Sequence, residues 1–343
     1  MVTRILWALL ALTPVAILGR FVFDLDETTL FIIAALALIP LAWVIGDATE
    51  HAAEHTGPGV GGFLNASFGN APELIIALFA VANNLPGVVR GSLTGSVVSN
   101  ILLVLGAAMI AGGDGKVDAR SLRWQLFAVF GAVGLLAIPS ALSWNGGSHE
   151  RHSLFLVSLP VSIALLVVYV VITVRNLRIH RATERTEAAQ GSWSLRKAIT
   201  VLAAACVATA LVSEILVHSL EHFGKVVGLN EFFIAVVIVA IVGNAAEHGG
   251  AVVIAKRGNT TLATEIAITS SMQVALFVTP VVCLLSWIVG NGLPLSFRAI
   301  EVITMAAAAA FSAWVVWDGR SRRWEGFVLV GVYGLIVVAY ALA

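Results

Sequence analysis

Eleven runs of about twenty apolar residues, joined by short polar gaps, leave this chain one class of fold, a bundle of membrane-crossing helices. The runs fall roughly at 5–23, 28–46, 59–84, 91–112, 122–143, 153–175, 197–222, 229–255, 261–289, 295–317 and 324–342. A bilayer core of about 30 Å needs about 20 such residues per helix, and backbone in lipid must satisfy its own polar groups. Of the 343 residues, 59% are hydrophobic and 12% charged, where a soluble domain carries about 25% charge. The longest polar gap, roughly 176–196, is too short to fold alone. A net charge of zero offers nothing to nucleic acid. Cys206 and Cys283 lie in apolar runs and read as packing residues, since two cysteines argue neither a disulfide nor a metal pair. No small-residue cleavage site follows the first run, so it reads as a first helix and not a cleaved leader.

Lys and Arg set the orientation. With the N-terminus in the cytoplasm, fifteen of the twenty fall on the cytoplasmic side, among them Lys116, Arg120, Arg123, Arg320, Arg322 and Arg323. The outer loops hold Arg20, Arg90, Arg151, Lys225 and Arg298. That bias is the positive-inside pattern, and it places the C-terminus outside. The basic linker 176–196 then divides a first half, 27–175, from a second, 197–343, with residues 1–26 as a separate N-terminal helix. Each half holds five spans, an odd number, so the halves must run in opposite directions. The expected fold is an all-α polytopic membrane protein of about eleven transmembrane helices, two inverted five-helix repeats plus the first helix.

The two halves share an expensive feature. Gly69-Asn70-Ala71-Pro72-Glu73 and Gly243-Asn244-Ala245-Ala246-Glu247 each place a carboxylate deep in an apolar run. Such a charge costs several kcal/mol and marks a functional site by default. Ser96 and Ser99 of the first half fall opposite Ser270 and Gln273 of the second at the same spacing. Polar, glycine-interrupted helices at matching places in two halves point to a midplane transport site.

The residue types suggest the chemistry. Glycine permits close backbone approach, asparagine can serve backbone groups freed at a helix break, and Pro72 removes a donor. Glu73 and Glu247, with neutral oxygens from Asn70, Asn244, Ser96, Ser99, Ser270 and Gln273, suit a hard divalent cation better than a soft one. When the cation leaves, two facing carboxylates repel and are poorly solvated, so at least one takes up a proton. A single intramembrane Glu can be a structural contact; two at matching positions argue a shared site. Glu50, with His51, Glu54 and His55, and Glu214, with His218, Glu221 and His222, form a second tier at the ends of spans 2 and 7. Glu50 and Glu214 read as lining a pathway, and their neighbours as solvated helix ends. His248 is placed to tune or donate to Glu247, and Glu265 and Glu301 read as satisfied near helix ends.

These strings resemble the calcium/proton exchangers of the cation/Ca²⁺ exchanger superfamily over nearly the whole chain. The likeness runs through Gly61-Gly62-Phe63-Leu64-Asn65-Ala66-Ser67-Phe68-Gly69-Asn70 and Gly95-Ser96-Val97-Val98-Ser99-Asn100 in the first half. In the second it runs through Ala240-Ile241-Val242-Gly243-Asn244-Ala245-Ala246-Glu247-His248 and Ser270-Ser271-Met272-Gln273. The resemblance implies a regulatory first helix and alternating access driven by a proton gradient. It also implies that Glu73 and Glu247 bind cation and proton in turn, with Glu50 and Glu214 lining the approaches. Two departures stand out. Many relatives carry an acidic helix between the halves, whereas this linker has only Glu184 and Glu187 among several arginines. Pro72 replaces a commonly aliphatic residue, and sodium/calcium exchangers use a Pro-Glu pair there, so sodium coupling is an alternative.

The expectation is an antiporter and not an enzyme, with Ca²⁺ and H⁺ as substrates, no cofactor, and the bilayer as partner. It sits in a prokaryotic plasma membrane, with oligomeric state, a homo-oligomer included, left open. Two other classes compete. His51-Ala52-Ala53-Glu54-His55 fits the H-x-x-E-H pattern of a zinc peptidase, but it lacks a third ligand and leaves the second G-N-A-x-E unexplained. A channel could use the same acids without obligatory proton counterflow.

Overall fold

A computed structural model describes residues 2–144, 149, 152–180, 193–290 and 292–342. Most of the expected linker, with Arg181, Glu184, Arg185 and Glu187, lies outside them, as does Arg151. The chain runs through helices α1 (Val2–Leu9), α2 (Leu12–Phe21), α3 (Glu27–Phe68), α4 (Ala71–Ala82), α5 (Pro86–Val98), α6 (Leu105–Gly112), α7 (Ala119–Ala141) and α8 (His152–His180). It continues through α9 (Leu195–Val227), α10 (Glu231–Ile234), α11 (Ala240–Gly243), α12 (Ala245–Lys256), α13 (Thr260–Gln273), α14 (Thr279–Val289), α15 (Ala299–Val315) and α16 (Arg323–Leu342). Two-residue strands β1 (Gly115–Lys116) and β2 (Arg320–Ser321) pair antiparallel. Among the described residues, eight helical paths are long and apolar enough to cross a membrane. A ninth is bent by 57° between 231–243 and 245–256.

The first apolar run does not form one helix. It divides into α1 and α2 around Leu10–Ala11, because Pro14 has no N–H to give the Leu10 carbonyl one turn back. The second run is longer than its apolar residues: Asp47 to His55 stay helical, with no glycine or proline until Gly57-Pro58. Helical backbone then continues to Phe68, but not straight. A Cβ built at Gly61 would lie 2.6 Å from the Ala53 carbonyl oxygen, whereas eight residues of straight helix span about 12 Å. The chain doubles back between them at Gly57-Pro58-Gly59, residue types that kink helices. That fold-back separates spans 2 and 3.

The same elements recur along the chain. α4 and α12 are both twelve residues long, and the offset between them also separates Val97 from Ser271, |i−j| = 174. α5 and α13 obey it too, and each runs into a wider π-helical turn, Ser99–Val104 and Val274–Val278. Ser271 donates its hydroxyl to the Val97 carbonyl at 3.1 Å, so equivalent residues of the two halves touch at the centre of the bundle. π-turns tend to sit at functional sites.

Close approach of the halves depends on Gly91 and Gly95 of α5. A Cβ at Gly95 would stand 2.1 Å from the Val236 carbonyl oxygen, and one at Gly91 would stand 2.9 Å from that of Phe232. Small residues four apart let membrane helices touch backbone to backbone. Gly95→Leu is therefore expected to destabilise the protein by about 3 kcal/mol or more through overpacking, read as lost monodisperse yield and a lower Tm in detergent. Gly87→Leu, at a position with open space around it, should leave both unchanged.

Candidate ion-binding site

Both glutamates sit just past a helix break of the same shape. Asn70 takes φ −95° and ψ 16° before α4, and Asn244 takes φ −92° and ψ 10° before α12. These bridge-region dihedrals end one helix and let another start. Glu73 and Glu247 then occupy the first turn of the new helix, where the positive end of the helix dipole favours a negative charge. Pro72 adds a rigid first turn to α4; α12 achieves the same break without it.

The two halves are laced together around these breaks. The Asn70 side chain donates to Gln273 Oε1 at 2.7 Å. Asn244 donates to Ser96 Oγ at 2.8 Å and to the Ala240 carbonyl at 2.9 Å. Each break asparagine thus reaches the polar helix of the other half. Asn100, on the π-turn after α5, donates to Ser270 Oγ at 2.8 Å and Asn244 Oδ1 at 3.2 Å. Ser270 also lies within hydrogen-bonding reach of Glu247. Asn70, Asn100, Asn244, Ser96 and Ser270 are all 2% exposed or less, so the network is dry and its partners hold one another in place.

The carboxylates themselves keep capacity to spare. Glu73 is 8% exposed and Glu247 half-buried, and the charge of Glu247 acts on Glu73. Glu73 Oε2 and Glu247 Oε2 are buried and accept no hydrogen bond among the described residues. Gly243, in the second half, brings its backbone against Glu73; a Cβ there would lie 3.5 Å from Glu73 Cγ. Two carboxylates that each keep a buried oxygen with unfilled lone pairs, rimmed by amide and hydroxyl oxygens, can hold a hard cation or, without it, a proton.

Two residues expected at the site make contacts that the sequence does not show. Ser99 does not reach across the halves: its hydroxyl turns back to the Ser96 carbonyl at 3.4 Å, a bond that a local helical turn makes available to any buried serine. His248 is bonded to Asn100 and not to Glu247, with Nε2 3.0 Å from Asn100 Oδ1. Since that oxygen only accepts, Nε2 carries the hydrogen. Asn100 is the residue that sequence reasoning missed. It stands in the quoted Gly95–Asn100 string, but the helix has to widen there before its amide can meet three partners.

Glu50 is exposed on α3 and Glu214 half-buried on α9. His51 lies 3.5 Å from Glu54 and stacks on Trp193, and His55 meets the Trp193 carbonyl at 2.6 Å. These contacts tie His51 to the indole and His55 to the backbone of Trp193; among the described residues, no three His, Cys, Asp or Glu side chains converge on one point. At the other end of α3, Glu27 stands 3.9 Å from His218 and 3.6 Å from His222. Glu301, fully buried, accepts from Arg298 through both backbone and side chain at the start of α15.

Comparison with known proteins follows the same outline. A family model described as sodium/calcium exchanger protein matches residues 27–178 and 197–341. The Ca(2+)/H(+) antiporter ChaA of Bacillus subtilis is 36% identical over 354 residues, covering 99% of each chain. The structure of native YfkE superposes with a TM-score of 0.85 at 32% identity, covering 98% of this chain and all of that one (100%). The H+/Ca2+ exchanger CAX gives a TM-score of 0.75 over 99% of this chain and 92% of its own, at 16% identity a likeness of fold alone.

Proposed function

This chain belongs to the sodium/calcium exchanger protein family, and we propose that it is a secondary antiporter exchanging Ca²⁺ for protons at one site made by Glu73 and Glu247. The observation that carries the reading is the cross-lacing at the two breaks. Each half supplies one carboxylate, and each half's asparagine is held by the other half's polar helix. Cation and proton then compete for the same oxygens. Protonation weakens the site for Ca²⁺, so affinity falls as pH falls, and a proton gradient drives Ca²⁺ the other way. The curated relatives named as Ca(2+)/H(+) antiporters support the choice of ions.

The fuller architecture belongs to the same reading. We infer eleven crossings, with α3 divided at its fold-back and the α10–α12 path counted as one. The two halves form inverted five-helix repeats around the centre where Val97 meets Ser271. The N-terminus is cytoplasmic and the C-terminus extracytoplasmic, from the Lys/Arg bias, in a prokaryotic plasma membrane. Glu50 and Glu214 line the approaches, one on each of the packed helices α3 and α9.

Reconstituted vesicles test this. A pH step that leaves the lumen acidic is expected to drive Ca²⁺ accumulation that an uncoupler abolishes, and the reverse step to drive none. A sodium gradient imposed instead, at equal pH on both sides, should drive none; accumulation under sodium alone would make the protein a sodium-coupled exchanger. Ca²⁺ flux insensitive to both gradients would make it a channel.

A further inference from the structure

Lys116 and Arg320 stand directly opposite each other in the β1–β2 ladder. Like charges facing across a strand pair destabilise it, yet here they form one of the two residue pairs of the ladder. The loops are pinned in that arrangement. Val117 N–H donates to the Gly319 carbonyl at 3.0 Å, Thr261 to the Lys116 carbonyl at 3.1 Å, and Ser321 to the Gly113 carbonyl at 3.1 Å. Both cations are exposed, as is Arg120.

The nearby acids are already engaged. Asp114 accepts the Arg323 backbone N–H, and Asp118 caps α7 through the N–H groups of Arg120 and Ser121. Asp318 and Glu325 both bind the Arg322 guanidinium at 2.6 Å. Beside these cations the surface turns aromatic. Trp314, Trp317 and Trp324 are 68%, 59% and 58% exposed. With Phe311, Val315, Val328 and the mutually paired Arg322, Asp318 and Glu325 they line a cavity of about 310 Å³. Arg123 lies over the Trp317 ring, 4.6 Å from its centre.

We propose that this corner, where α6, α7, α15 and α16 end, is a binding site for an anionic phospholipid. Its phosphate sits between Lys116 and Arg320, and its acyl chains lie along Trp314, Trp317 and Trp324. Tryptophans concentrate at the headgroup level of a bilayer, and basic pockets between membrane helices take anionic headgroups. An anion between the two ladder cations removes their repulsion. The aromatic slot next to it selects a lipid over a free phosphate.

The test is native mass spectrometry of the purified full-length protein titrated with phosphatidylglycerol or phosphatidylcholine. Wild type is expected to retain phosphatidylglycerol preferentially, and Lys116→Gln/Arg320→Gln to lose roughly thirtyfold in its affinity, at about 1 kcal/mol per basic residue. Phosphatidylcholine retention should be unchanged. Arg196→Gln/Lys197→Gln, which removes equal charge at the start of α9, should bind like wild type, and unchanged melting in phosphatidylcholine shows that both variants fold. Equal phosphatidylglycerol retention by the ladder variant overturns the proposal. So does an equal loss in the α9 variant, which would mean diffuse surface charge, or displacement by millimolar inorganic phosphate, which would mean a small-anion site.

Discussion

Glu73→Gln and Glu247→Gln are each expected to abolish proton-driven Ca²⁺ uptake while leaving the protein folded. Glutamine keeps the volume and one acceptor oxygen but removes the charge and the exchangeable proton. Truncating one partner of a buried charge cluster costs about 2–5 kcal/mol, roughly thirty- to several thousandfold in affinity. Both carboxylates are needed, because the site draws one from each half and its remaining ligands are neutral. The folded state should tolerate the change, since Glu73 Oε2 and Glu247 Oε2 hold no structural bond among the described residues. Removing an unpartnered buried charge relieves desolvation. A Tm equal to or above that of wild type, with uptake gone, is the expected pair of readouts.

Asn100→Ala should give the next largest loss, with a different signature. The substitution strips donors from Ser270 and Asn244 and an acceptor from His248. A buried group left without its partner costs about 1–3 kcal/mol. The variant should lower Tm and raise the KM for Ca²⁺ about tenfold or more, because Asn244 and Ser270 are no longer held toward Glu247, yet it should still exchange one ion for the other. If the KM for Ca²⁺ is unchanged, Asn100 is a packing residue and the network does not orient the site.

Much of this was legible in the sequence because membrane burial makes polar residues costly. Glu73 and Glu247 stood out on cost alone, and the shared G-N-A-x-E string gave their common break before any geometry. Long-range pairings were legible only in outline. That Ser96 and Ser270 would face the site followed from their matched spacing, but which asparagine each would meet depends on helix rotation, which no local string encodes. Asn100 went unread for that reason: its three partners lie 144, 148 and 170 residues away. His248 was assigned to its neighbour Glu247 because adjacency is all a sequence shows, while consecutive helix positions point in different directions. Ser99 was read by its match to Gln273, but its hydroxyl bonds within its own helical turn. The helical continuation through Asp47 to His55 was legible as a soft boundary after span 2, whereas the fold-back of α3 was not read.

The central claim is that one pair of carboxylates holds either Ca²⁺ or protons, and proton release on binding tests it most directly. Isothermal titration of Ca²⁺ into the purified protein, repeated in buffers of different ionisation enthalpy, counts the protons displaced per ion. The account predicts at least one proton released per Ca²⁺ by the wild type, with affinity falling as pH falls. Ca²⁺ binding by the wild type with no proton release and no change in affinity with pH would contradict it.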